Sequence, residues 1–283
     1  MRIDAHQHFW RYSASEYGWI DDTMAVLRKD FLPPDAADAM RLTAFDAGIA
    51  VQARQTLEET RWLLALADAH PSIAGVVGWI DLQAGEKGVL AQLAPFAAHP
   101  KLVGIRHIAQ AEPDDRFLVR PAVLEGLSVV GECALAFDIL IYKHQLPAAA
   151  ECVARLPTVR FVLDHLAKPD IRGGEIDTWA RDLRALARHP NVVAKLSGLI
   201  TEADWHAWTA GEVCAYLDVA FDLFGWQRLM IGSDWPVCLV AGDYSRTMQV
   251  VLDYIADRPG PEREAILGGN AEKFWRLPCG CRS

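Results

Sequence analysis

The chain has 283 residues, 52% hydrophobic and 23% charged, and a formal net charge of −9. That composition excludes a disordered chain, and the interspersed charges with no basic block exclude the electrostatic footprint of a nucleic-acid binder. No apolar run approaches the roughly 18 residues of a membrane span and no signal-type segment follows MRID, so a cytoplasmic protein without membrane or nucleic-acid partners is expected.

In chain order, the first strand-like stretch is RIDAHQHF, residues 2–9. Side chains at i and i+2 of a strand share a face, which predicts that Asp4, His6 and His8 project together. Two imidazoles on one face make half of a metal site; the same pair also reads as a solvated edge, and the rest of the chain decides between them. The aromatic segment FWRYSASEYGWI comes next. Its Trp10 and Trp19 read either as a wall against the apolar face of a sugar ring or as a cover for the fold's rim.

Seven more apolar, β-branched-rich runs follow: GIAVQAR, IAGVVGWID, LVGIRHI, FDILIYKH, VRFVLDH, NVVAKLSG and RLMIGSDW. Helical segments lie between them and after the last: PDAADAMRLTAFDA, LEETRWLLALADAH, EKGVLAQLAPFAAH, VRPAVLEGLSVVGEC, LPAAAECVARL, TWARDLRALARH, AGEVCAYLDVAFDLFG and SRTMQVVLDYIA. Their apolar residues recur every three or four positions, and several open on Pro, Thr, Ser or an acidic residue. Eight such units predict an α/β protein with a parallel sheet closed into a (β/α)8 barrel, one domain over residues 1–283. A doubly wound open sheet is the alternative, but no Gly-x-Gly-x-x-Gly turn follows the first strand. The six cysteines, Cys133, Cys152, Cys214, Cys238, Cys279 and Cys281, read as free thiols; the Cys279/Cys281 pair lacks the second pair of a structural zinc site.

Chemistry in such a barrel sits at the C-terminal ends of the strands. There the sequence sets His6 and His8 on strand one, Arg106 and His107 on four, His144 on five, Asp164 and His165 on six, Lys195 and Ser197 on seven, and Asp234 on eight. Histidine and aspartate are metal-ligand and proton-transfer residues, and strands one, five, six and eight together deliver the candidates of metal-binding type to one rim. Arg54, Arg106, Lys168 and Lys195, with His107 and Tyr142, are candidates to hold substrate hydroxyls and an acidic product. As an alternative, the four cations are solvated strand-end charges. Trp179, Trp205, Trp208 and Trp226, lying in or between helices, are expected to pack.

The motifs DAHQHFW, YKHQ, VLDHLAKP, IGSDWP and ILGGNAEKFWRL, in that order, resemble the amidohydrolase superfamily, and within it the sugar-acid lactonases. The resemblance implies a barrel hydrolase that opens aldono-lactones such as L-fuconolactone. It places the family's metal ligands on His6, His8, His144 and Asp234, and its strand-six histidine on His165. Binuclear members carry a bridging lysine at the end of strand four; IRHI has none, which implies one divalent ion, zinc, or none, since some similar lactonases work without metal. Asp234 is then the base for the attacking water, with His165 and His144 polarising the carbonyl or the water. A metal-dependent decarboxylase of a small unsaturated acid and a non-catalytic sugar-acid-binding barrel are the two alternatives.

Overall fold

The computed structural model describes residues 1–277. Cys279 and Cys281 lie outside them; Cys133, Cys152, Cys214 and Cys238 are free.

Eight parallel strands follow one another in sequence order: β1 (Ile3–Gln7), β2 (Ala47–Val51), β3 (Ile73–Gly78), β4 (Leu102–His107), β5 (Ala136–Ile139), β6 (Arg160–Leu163), β7 (Val192–Leu196) and β8 (Leu229–Ile231). β1 meets β8 through a parallel bridge between Gln7 and Trp235. Two backbone bonds seal that seam, Asp234 N–H to His6 O at 2.9 Å and His8 N–H to Trp235 O at 2.6 Å. The sheet therefore closes, and the open doubly wound alternative is excluded.

The helices are α1 (Pro33–Leu42), α2 (Leu57–Ala69), α3 (Gly85–Leu93), α4 (Pro121–Glu132), α5 (Leu146–Arg155), α6 (Asp177–Ala187), α7 (Ala210–Phe224) and α8 (Tyr244–Tyr254), each close to its expected segment. Their starts have local causes. Thr56 caps α2 by accepting from Glu59 N–H, Thr209 and Glu212 form a reciprocal box at α7, and Asp243 caps α8. On α6 the buried Trp179, Leu183 and Leu186 recur at spacings of four and three and turn one face to the sheet. No described helix is long and apolar enough to cross a membrane.

The lower barrel interior is apolar: Ile3, Ala5, Ile49, Val51, Val77, Ala136, Val162, Val193 and Met230 form one cluster. It is closed from below by α10 (Asn270–Trp275), which follows α9 (Gly260–Glu264) and a π turn, and contributes Ala271 and Trp275 to the cluster. Asn270 ties this cap to the body by donating to the carbonyls of Trp226 and Leu229, at 2.7 and 2.8 Å. The ILGGNAEKFWRL motif is thus the floor of the barrel.

Above the apolar layers the interior turns charged. Arg106 of β4 is in register with Asp138 of β5, Asp138 with Val162 of β6, and Lys195 of β7 with Met230 of β8. β1 joins this layer through an irregularity. Asp4 pairs with Gly48 but Gln7 with Ala50, so three steps on β1 oppose two on β2. This bulge corrects the simple alternation expected of Asp4, His6 and His8. Asp4 lies on the other side with Gln7 and Ser233, at 2.9 and 2.6 Å, while His6 and His8 both enter the barrel.

Candidate active site

His6 and His8 approach through their Nε2 atoms, 3.1 Å apart. Asp234 Oδ1 stands 3.7 Å from His6 Nε2 and 3.4 Å from His8 Nε2. Zinc with tetrahedral bonds of about 2.0–2.1 Å separates its ligands by about 3.3 Å, so the three distances bracket what one ion requires. The donor chemistry agrees. His8 Nδ1 lies 2.7 Å from Val51 O, which fixes the proton there and leaves the Nε2 lone pair facing inward. Burial pushes His6 well below the ordinary imidazole range, helped by the Lys195 charge, so its ring is neutral. Burial alone would raise Asp234, but the facing His165, with His8 and His6, holds it below the usual carboxylate range and it is ionised.

His165 completes the group, its Nε2 3.8 Å from Asp234 Oδ1 and its Nδ1 2.9 Å from Ser197 Oγ. Burial lowers its pKa to about 4. It opens a run of four non-glycine residues with left-handed backbone, His165, Leu166, Ala167 and Lys168, with φ of 53°, 50°, 60° and 51°. Left-handed geometry costs roughly 1–2 kcal/mol per residue. The run is held by Trp179 Nε1 donating to Leu166 O and by Lys168 N–H donating to His165 O, both at 2.8 Å. Gly198 makes room beside it: its φ is +63°, and a Cβ there would stand 2.5 Å from His165 Nδ1.

Beneath this group lies a buried ionic lattice. Lys195 Nζ sits 2.5 Å from Asp138 Oδ2, 2.9 Å from Asp164 Oδ1 and 3.2 Å from His6 Nδ1. Arg106 spans Asp164 Oδ2 at 3.1 Å, His6 Nε2 at 3.3 Å and the carbonyl of Gln52. Burial opposes the Lys195 charge, and the two aspartates more than offset that. Burial would likewise raise Asp164, yet Lys195, His6 and Arg106 hold it well below its ordinary range, while burial pushes Asp138 up to about 6.

A cavity of about 460 Å³ opens over the group, within the size range of small-molecule sites. His8, Arg106, His165 and Asp234 form its floor; Trp19, Tyr142, Lys168, Glu202 and Trp205 are on its walls.

Several expectations are corrected. β5 ends at Ile139, so His144 falls on a following turn, 55% exposed, with its Nε2 3.1 Å from Asp115 and its ring stacked on Tyr142. It does not reach the ligand group, and the β5 side chain that enters the barrel is Asp138. Lys195 is fully buried under the site, away from any substrate. Trp10 is also fully buried, edge-on to Trp19 and Phe31 with its Nε1 on Lys29 O; it supports the wall that Trp19 lines. Arg54 pairs with Glu16 and Glu59 over the Tyr17 ring, outside the cavity. His107 faces outward, stacked on Phe117 with its Nε2 2.7 Å from Glu112. Trp205 packs against the core as expected and lines the cavity as well. Glu202 carries no motif; only its position a few residues beyond a strand end marks it.

The family profile described as amidohydrolase matches residues 3–277. The chain is 42% identical to an L-fucono-1,5-lactonase of Burkholderia multivorans, over 98% of this chain and 97% of that one. It is 38% identical to an L-fucono-1,5-lactonase of Burkholderia ambifaria, over 98% and 96%. A crystal structure of an amidohydrolase from Burkholderia multivorans with bound zinc superposes with a TM-score of 0.93 at 41% identity, over 98% of this chain and all of that one.

Proposed function

The chain belongs to the amidohydrolase family, and from that premise we propose that it hydrolyses a sugar lactone, an aldono-lactone such as L-fuconolactone, to its open-chain acid. The observation that carries the reading is the convergence of His8, His165 and Asp234 on the floor of the cavity, with the buried His6 grouped with His8 and Asp234, in a chain 42% and 38% identical to two L-fucono-1,5-lactonases over nearly their full length.

His6, His8 and Asp234 are the residues that would hold one zinc ion, a nitrogen-rich set suited to that metal. When bound, the ion supplies Lewis-acid polarisation of a carbonyl and a water of lowered pKa. The chain's own groups do the rest. Asp234, ionised at neutral pH, accepts a proton from the attacking water and returns it to the departing ring oxygen. His165, neutral and oriented by Ser197, aims Nε2 at the same zone, where it hydrogen-bonds the carbonyl oxygen or the water. Arg106, fixed by Asp164 and Gln52, adds a preorganised positive charge as the carbonyl oxygen gains electrons. Trp19 and Tyr142 offer flat faces to the ring.

The test is acid release, followed with a pH indicator, from five- and six-membered aldono-lactones of both configurations, with added zinc and after chelation. At least one lactone is expected to open at a rate proportional to enzyme. Release from none of them at any metal loading would contradict the reading.

A further inference from the structure

Two opposed charges stand on the cavity wall. Lys168 Nζ lies 3.3 Å from Glu202 Oε1, and the two side chains are 18% and 20% exposed. The strained left-handed run ends on Lys168, whose ammonium also stands 5.6 Å above the Tyr142 ring. Burial raises Glu202 above the ordinary carboxylate range and Lys168 works against that rise. Among the described residues, Lys168 is the one cationic partner Glu202 has, and no protein hydrogen bond is made to its second carboxylate oxygen. Glu202 lines the cavity, so its carboxylate has acceptor capacity to offer there.

Among the described lining residues, the charged groups are Arg106, Lys168, Glu202 and Asp234. Arg106 lies at the floor, paired with Asp164 where the ring carbonyl goes, and on the wall Lys168 is committed to Glu202. No cation on the wall is left to neutralise a carboxylate carried by a substrate. An ion held by His6, His8 and Asp234 would add its charge at the floor, where the ring carbonyl goes, and leave the balance of the wall unchanged.

We infer that Glu202, with Lys168 as its holder, is a specificity-determining residue that accepts hydrogen bonds from the ring hydroxyls of a neutral polyhydroxylated lactone and rejects lactones bearing a carboxylate. The inference rests on the lactone reading of the site and names its substrate class. A carboxylate oxygen pairs well with hydroxyl donors and is repelled by a second carboxylate. Discrimination against the acidic analogue therefore comes from an unmatched charge on the wall, in addition to fit for the neutral one. Lys168 takes part twice: its ammonium, 3.3 Å from Oε1, favours the carboxylate form of Glu202, and its own charge is used up in doing so.

The test is titration calorimetry with two inert ring analogues, a polyhydroxylated lactam and the same lactam with its exocyclic carbon oxidised to a carboxylate. Binding is read without turnover, so the outcome is independent of whether any lactone is opened. In the parent, the neutral lactam is expected to bind about tenfold or more tighter than the acidic one. Glu202→Gln keeps the shape, frees Lys168, and is expected to collapse that ratio to about one or invert it. Lys168→Met keeps Glu202 and removes the cation paired with it; the acidic lactam is then expected to bind still more weakly than in the parent. Two results overturn the inference: a parent that binds both lactams equally, or a ratio that stays within about twofold of the parent in Glu202→Gln. If Glu202→Gln does not fold, Lys168→Met decides alone, and tighter binding of the acidic lactam to it overturns the inference.

Discussion

At the scale of single residues, the site depends on histidines kept neutral by burial, and this has a consequence for stability. His165 titrates at about 4 in the folded chain, against about 6.5 when unfolded. Below pH 6.5 the unfolded state takes up a proton that the folded state refuses, so folding loses stability as pH falls towards 4 and the loss levels off below that. In chelator-treated protein, the stability lost to His165 by pH 5 is expected to be about 2 kcal/mol relative to pH 7.5. Urea unfolding of the parent and of His165→Asn across that range measures it: the parent should fall more steeply, whereas parallel curves would show that His165 is not held neutral. The residues legible from sequence were those whose strand ends near them. His6, His8, His165 and Asp234 sit on or just beyond paired backbone. FDILIYKH reads as one apolar run, but pairing stops at Ile139, and His144 leaves with the turn. Glu202 and Asp138 carry no motif, and only packing brings them into the site or beneath it.

At the scale of elements, the β1 bulge decides which side chains enter the barrel. Strict alternation puts Asp4 and His6 on one face; the extra residue moves Asp4 to a structural role at the β1–β8 seam and keeps His6 and His8 inside. Gln7 points away, against Asp4 and Met40. Metal analysis of the purified parent, His6→Ala, His8→Ala and Gln7→Ala is therefore expected to give near-stoichiometric metal in the parent and Gln7→Ala and little in the other two. Equal content in all four would remove the metal assignment. The eight β-α units were legible because near-continuous apolar strands alternate with amphipathic helices. A bulge has no such signature: nothing in IDAHQ marks where the extra residue falls, because it is set by pairing with β2.

At the scale of the whole molecule, the ionic lattice of Arg106, Asp138, Asp164 and Lys195 ties four neighbouring strands to one another and to His6. Removing one member of a buried pair leaves an uncompensated charge and costs about 3–5 kcal/mol. Lys195→Met is expected to lose stability on that scale, while Lys143→Met, whose pairs with Asp170 and Glu175 are solvent-accessible, is expected to stay within about 1 kcal/mol of the parent. Denaturant midpoints check both, and a Lys195→Met midpoint equal to the parent's would show that the lattice does not hold the barrel.

We propose that the rim of this barrel opens a lactone with Asp234 as the proton acceptor. The most direct test is the turnover number of the parent and of Asp234→Asn on the best aldono-lactone, at equal zinc loading verified for both. Loss of a general base lowers turnover by about 10²–10⁴-fold, and a fall of that size with an unchanged unfolding midpoint is the predicted result. Turnover within about threefold of the parent would contradict the account.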